Sequence, residues 1–158
     1  MSEKILIASD HAGFELKEKL EARLRALGFD VEDLGADSTQ STDYADYAHP
    51  LARQVSEGKV KRGVLMCGTG LGMSYTANRY PHVRAAVAWS PEIAKLAREH
   101  NDANVLSLGA RMYDEDTAVR YVELFLATPF SDEPRHSRRI GQITDYERTG
   151  ELPPLPGE

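Results

Sequence analysis

The feature that most constrains this chain is an alternation. Five short apolar runs, each of strand length, are each followed by a segment with helical hydrophobic spacing. The first run, Ile5-Leu6-Ile7-Ala8, leads into Leu16, Leu20, Leu24 and Leu27, which recur every three or four residues among Lys, Glu and Arg. Gly28 stands where such a helix needs a left-handed residue to stop. Residues 31–34 predict a second strand. After a polar loop over 39–42, Tyr47, Leu51 and Val55 predict a helix over about 46–57, ended by Gly58. Residues 64–67, 83–88 and 104–108 predict the remaining strands. Helices follow them to about residue 79, from Ser90-Pro91-Glu92 to about 100, and from Asp114 to about 127. A last helix is predicted over about 135–148. The prolines of the tail, Leu152-Pro153-Pro154-Leu155-Pro156-Gly157, exclude a helix there.

Strands and helices in strict alternation predict a three-layer α/β/α fold with a five-stranded parallel sheet covered on both faces. One domain over 1–150 and a Pro-rich tail over 151–158 account for the chain. With 158 residues, 41% of them hydrophobic, there is material for one core. The 19 Lys and Arg against 25 Asp and Glu give a net charge of -6, which argues against gripping nucleic acid by charge. No apolar run approaches the ~18 residues of a membrane span. The start, Met1-Ser2-Glu3-Lys4, lacks the features of a signal peptide, so a cytoplasmic protein is expected, with neither nucleic acid nor membrane as partner. A lone cysteine, Cys67, permits no internal disulfide and no Cys-based zinc site, and the five histidines are scattered, so no metal is expected.

In parallel α/β sheets, ligands bind beyond the carboxyl ends of the strands. The polar residues that follow the predicted strands are Asp10-His11, Cys67 with its glycines, Ser90, and Gly109-Ala110-Arg111. In Cys67-Gly68-Thr69-Gly70-Leu71-Gly72 the glycines let backbone N–H groups approach an oxyanion closely. A thiol beside such donors is a candidate nucleophile or general base; the plainer alternative is a buried strand-end cysteine. The loop fits neither the dinucleotide fingerprint, which belongs after the first strand, nor a P-loop, which ends in Lys-Ser/Thr. Asp10-His11 is either a carboxylate and imidazole facing a ligand or a helix cap beside a solvated histidine. His100, at a predicted helix C-terminus, is on its own most simply dipole compensation. Arg135, Arg138 and Arg139 fall near one helix face and suit a single phosphate group, or form a solvated face.

Taken together, these stretches resemble the type B ribose-5-phosphate isomerase family, which also includes galactose- and allose-6-phosphate isomerases. The matching segments are Ser9-Asp10-His11-Ala12-Gly13-Phe14, Thr42-Asp43-Tyr44, Cys67 to Gly72, Ala77-Asn78-Arg79, His100-Asn101-Asp102-Ala103-Asn104, Gly109-Ala110-Arg111, and Arg135-His136 with Arg139. They cover nearly the whole chain in order. The resemblance implies a flavodoxin-like sheet of order 2-1-3-4-5. It also implies a homodimer, or dimers paired into a tetramer, whose active sites mix residues of two subunits, with no metal or organic cofactor. It assigns the base to Cys67, the ring-opening acid to His100, and a partner at the sugar hydroxyls to Asp10. Gly68, Thr69, Gly70, Leu71 and Gly72 would hold the enediolate oxygen. His11, Tyr44 and Asn101 would hold hydroxyls or phosphate, and Arg111, Arg135 and Arg139 would grip the phosphate. The family's other branch uses a Glu just after the glycine loop; Met73 stands there, while the segment from Tyr146 to Pro154 resembles that branch. Ribose 5-phosphate is the expected substrate. A six-carbon 6-phosphate sugar and a non-catalytic sugar-phosphate-binding module are the alternatives. A nucleotide-dependent oxidoreductase is disfavoured by the glycine pattern.

Overall fold

In the computed structural model, which describes residues 2–157, the alternation becomes five parallel strands and six helices. They run β1 (Lys4–Ser9), α1 (Phe14–Ala26), β2 (Asp30–Asp33), α2 (Tyr44–Ser56), β3 (Arg62–Cys67), α3 (Leu71–Ala77), β4 (Ala85–Val87), α4 (Pro91–Glu99), β5 (Val105–Gly109), α5 (Glu115–Ala127) and α6 (Pro134–Thr149). Side chains alternate across each central strand, so both faces are apolar. Ile5, Ile7, Val64, Met66, Leu106 and Leu108 pack under α1, α4 and α5. Leu6, Ala8, Leu65, Cys67 and Val105 pack under α2 and α3. The three layers are therefore those expected from the sequence.

The strand order is β2-β1-β3-β5-β4, which corrects the expected 2-1-3-4-5 at its last two places. Burial explains the exchange. All five residues of β5 are buried, and it pairs with β3 on one side and β4 on the other. β4 has three half-buried residues, and a strand this short belongs at an edge. It is shorter than the predicted 83–88 because side chains take over its pairing at the start. Asn104 Oδ1 accepts the Arg84 N–H at 2.8 Å. The Asn78 amide accepts from the Ala85 N–H and donates to the Ala85 carbonyl, at 2.8 and 3.0 Å. Asn78 thus acts as a one-residue substitute for a further strand.

Other limits shift modestly. α2 begins at Tyr44, two residues earlier than expected, and holds Pro50 in its interior. Leu16, Leu20 and Leu24 are buried as their spacing predicts, whereas Leu27 is exposed at the helix end. α6 buries only His136 and ends at Gly150, whose φ of 72° is the left-handed stop. Residues 151–157 form neither helix nor strand and are exposed.

Candidate active site

The first group of predicted residues gathers where β1, β3 and β5 end. Asp10 is the first residue past β1, and Cys67, the last of β3, lies two residues beyond Leu65 and so faces α2 and α3. Cys67 is 5% exposed and Asp10 6%. Cys67 Sγ accepts the Gly70 N–H at 3.1 Å. Asp10 Oδ1 accepts from Ala12 and Gly13 N–H at 2.9 and 3.2 Å, closing the turn into α1. Its Oδ2 makes no hydrogen bond among the described residues, so the cap role leaves half of the carboxylate for other work. His11 and Thr42 bind reciprocally. The His11 N–H donates to Thr42 Oγ1, and His11 Nδ1 accepts the Thr42 N–H, both at 3.1 Å. With Nδ1 accepting, the neutral imidazole carries its hydrogen on Nε2.

The glycine loop is fixed from below. Ser107 Oγ donates to the Gly70 carbonyl at 2.6 Å, and Gly70 takes a φ of 84°, which favours glycine. Thr69 Oγ1 accepts the Leu71 N–H at 3.2 Å, so its own hydrogen is available to a ligand. The N–H groups of Gly68, Thr69 and Gly72 have no partner among the described residues. Tyr44, at the start of α2, lies against Gly72 so closely that a Cβ there would come within 2.5 Å of its ring. The Arg111 N–H donates to the Gly68 carbonyl at 3.0 Å, and its guanidinium lies beside Gly68. Leu71 is exposed at the rim.

The remaining predicted residues gather elsewhere. His100, Asn101 and Asp102 follow α4, which runs back down the sheet, and they lie where β4 and β5 begin. Arg84 fixes this turn through Nε on the Asn101 and Asp102 carbonyls, at 3.0 and 3.1 Å. Register places the start of β5 level with Gly63, four residues short of Cys67 on β3, a drop of roughly 13 Å. Asp102 takes a φ of 46°, unusual for a side-chain-bearing residue. The first turn of α6 joins the same group: the His100 and His136 rings stack with centroids 4.3 Å apart. His136 is 5% exposed, and its Nδ1 lies 2.8 Å from Ser131 Oγ. Burial, together with the neighbouring His100, Arg135 and Arg139, holds the His136 imidazolium below its ordinary pKa range, against a smaller opposite pull from Glu133. Arg135 pairs with Glu133 at 3.0 Å, and both it and Arg139 are exposed.

The structure therefore brings Asp10, His11, Tyr44, Cys67, Gly68, Thr69, Gly70, Leu71, Gly72 and Arg111 to one end of the sheet, and His100, Asn101, Arg135 and Arg139 to the other. The three arginines read as one phosphate grip are divided, with Arg111 on the thiol's side. His136 belongs to the matching segment Arg135-His136 but was assigned no role from the sequence; its burial against His100 is visible only in the fold. A cluster with metal-ligand spacing, Glu18, Glu21 and Asp33, occurs away from both groups. The Lys17 ammonium already sits on two of its carboxylates, Asp33 and Glu18, at 2.5 and 3.5 Å.

Comparison with known proteins identifies the scaffold. Residues 5–143 match the Ribose/Galactose Isomerase family. Ribose-5-phosphate isomerase B of Mycolicibacterium paratuberculosis is 41% identical over 155 residues, covering 98% of each chain. That of Escherichia coli is 40% identical over 145 residues, covering 92% of this chain and 97% of its own. The solved structure of ribose-5-phosphate isomerase B from Mycoplasma genitalium with bound ribulose-5-phosphate superposes with a TM-score of 0.90 at 39% identity, covering 94% of this chain and 99% of that one. The chain thus belongs to the ribose/galactose isomerase family, and it is an isomerase.

Proposed function

We propose that the protein interconverts ribose 5-phosphate and ribulose 5-phosphate, at a site formed where the thiol end of one copy's sheet meets the imidazole end of a second copy. The observation that carries this reading is the division of the site. The ring oxygen and C2 of a furanose are both attached to C1, so the acid and the base must stand within reach of neighbouring atoms. Within one chain they occupy opposite ends of the sheet. A two-fold axis that sets the thiol end of each copy against the imidazole end of the other would complete two identical sites at once. An apolar groove of about 530 Å³ beside Asn101, with Trp89 66% exposed and Ile143 half exposed, supports a second copy docking on the β4 edge.

In this reading His100 donates a proton to the ring oxygen as the bond from C1 to that oxygen breaks, and Asp10 accepts the proton of the C1 hydroxyl. The Cys67 thiolate then takes the proton from C2. The electrons of that C–H bond form the C1–C2 double bond, and those of the carbonyl pass to O1, giving a cis-enediolate. The Thr69 hydroxyl and the open N–H groups of Gly68, Thr69 and Gly72 stabilise that oxygen. Cys67 returns the proton to C1, while the O2 hydroxyl proton moves to O1 and leaves a ketone at C2. No electrons leave the sugar, so no redox partner is required. His11, Tyr44 and Asn101 hold hydroxyls. Arg135 and Arg139, with Arg111 from the other copy, neutralise the phosphate, and this remote binding energy positions the reacting end.

The test is complementation. Cys67→Ala and His100→Ala proteins are each expected to be inactive on ribose 5-phosphate. After subunit exchange, mixed dimers carry one intact site each, and about a quarter of wild-type activity returns. Subunits that exchange without regaining activity would refute the two-copy site. Parallel assays on allose 6-phosphate and galactose 6-phosphate decide the sugar.

A further inference from the structure

We propose that His136 is the positioning residue for the acid: its buried ring, tied to Ser131, is the platform that fixes the plane of the His100 imidazole. This rests on the reading of His100 as the ring-opening acid. His100 ends α4, a helix terminus whose backbone would otherwise leave the imidazole free to rotate about two bonds. Three contacts restrain it. The ring lies over His136, with centroids 4.3 Å apart and planes tilted by 32°. His136 is held in turn by Ser131 Oγ at 2.8 Å from Nδ1. Ser131 is anchored to the end of α4 itself, since its N–H donates to the Glu99 carbonyl at 3.0 Å. The result is a closed loop of contacts from α4 through Ser131 and His136 back to His100.

The same arrangement disfavours charge on the supporting ring. His136 is buried, and Arg135 and Arg139 on α6 and His100 at the end of α4 all oppose its protonation; only Glu133 favours it. Disfavouring charge on His136 gives His100 a polarisable face to stack on. Ser131 Oγ also accepts the Glu133 N–H at 3.3 Å, which fixes the serine at the start of α6 beside His136 Nδ1. His136 therefore need not touch the sugar to matter.

Three variants test the platform on the full-length protein. His136→Ala is expected to lower kcat on ribose 5-phosphate by about tenfold to a hundredfold with KM changed less than about twofold, because the acid is displaced and not the phosphate grip. His136→Phe keeps an aromatic face and is expected to recover most of kcat, with the acidic limb of the pH profile unmoved. Ser131→Ala, a smaller change, is expected to fall between them and covers the case in which His136→Ala does not fold. A KM-only effect of His136→Ala would overturn the proposal, as would a Phe variant as slow as Ala. The His100 ring proton shifts in the NMR spectrum give a readout without turnover. The upfield displacement from stacking should be present in wild type and the Phe variant and lost in the Ala variant. An Ala spectrum identical to wild type refutes the platform. Spectra that follow the expectation in a protein inactive on ribose 5-phosphate would instead refute the assigned function.

Discussion

The two ends of the sheet hold complementary halves of the chemistry, and they are built by different means. The thiol end is defined by missing side chains. A Cβ on Gly13 would stand 2.7 Å from the Met66 backbone, one on Gly109 2.7 Å from the Thr69 carbonyl, and one on Gly72 2.5 Å from Tyr44. The imidazole end is defined by charged donors on carbonyls. Arg98 reaches Ala103 O at 2.6 Å, Asp102 Oδ1 at 2.7 Å and Thr128 O at 3.3 Å, while Arg84 holds the Asn101 and Asp102 carbonyls. The first kind of construction brings backbone N–H groups close to a small oxyanion and tolerates no added atom. The second tolerates changes of shape but not the loss of a donor, because the Asp102, Ala103 and Thr128 carbonyls that would be freed are partly buried.

The largest effects should separate the thiol of one end from the phosphate grip of the other by kinetic parameter. Cys67→Ala removes a group needed only as the C–H bond breaks, so kcat should fall by about 10² to 10⁴ with KM little changed. Arg135→Ala removes a ground-state contact to phosphate, and should raise KM by about tenfold to a hundredfold, on the order of 1.5–3 kcal/mol of charge-assisted bonding. Steady-state kinetics on both variants checks the pair; a Cys67→Ala enzyme with wild-type kcat would remove the thiol from catalysis.

That contrast also explains what could be read from the sequence. The thiol end was legible because it is local. Cys67 and its glycines follow one strand, Asp10 and His11 another, and the rule that ligands sit past strand ends gathers them without coordinates. The imidazole end is assembled from the end of α4 and the start of α6, some 35 positions apart, with no motif linking them. His100 alone looked like dipole compensation, and His136, though part of a matching segment, was given no role, since stacking and burial are properties of packing. The family resemblance supplied the roles of His100 and Asn101, and helical spacing marked Arg135 and Arg139 as a phosphate site; neither supplied their separation from Cys67. Periodicity likewise gave the layers but not the edge order, because the exchange of β4 and β5 depends on which strand is short enough to be left exposed, and Arg84 looked like a strand residue until the Asn104 side chain took its hydrogen bond.

Stability measurements should sharpen the difference in construction. Arg98→Ala frees three acceptors and is expected to cost about 2–3 kcal/mol, counting one to two effective charged hydrogen bonds. Gly13→Ala is expected to cost about 1–3 kcal/mol for a different reason: its φ of -95° suits alanine, and the whole penalty is overlap with the Met66 backbone. Denaturant melts give both numbers. Activity separates them further, since residual turnover in Arg98→Ala should respond to loosening of His100, whereas Gly13→Ala acts beside Asp10. Equal, negligible costs would mean that neither contact set defines its end.

The smallest effect concerns pH, and the imidazole end should produce it. His136 is held below its ordinary value of 6.5, first by burial and then by His100 and Arg135. The unfolded chain, with the histidine at its ordinary value, therefore binds a proton before the folded one does. Above about pH 6.5 both states are neutral there and the contribution to stability is complete. As pH falls below that value the unfolded state gains its proton first, so stability declines, and the decline stops once the folded imidazole is also protonated. The carboxylates with lowered values, Asp114 and Glu57, start from 3.8 and 4.5, so their losses come in more acid solution. Melting temperature followed between pH 7.5 and about 5 should thus fall more for wild type than for His136→Phe, which has no proton to bind at that position. Parallel curves for the two proteins would mean that the buried ring titrates as an exposed histidine does, and that the imidazole end is not the pH-sensitive half of the molecule.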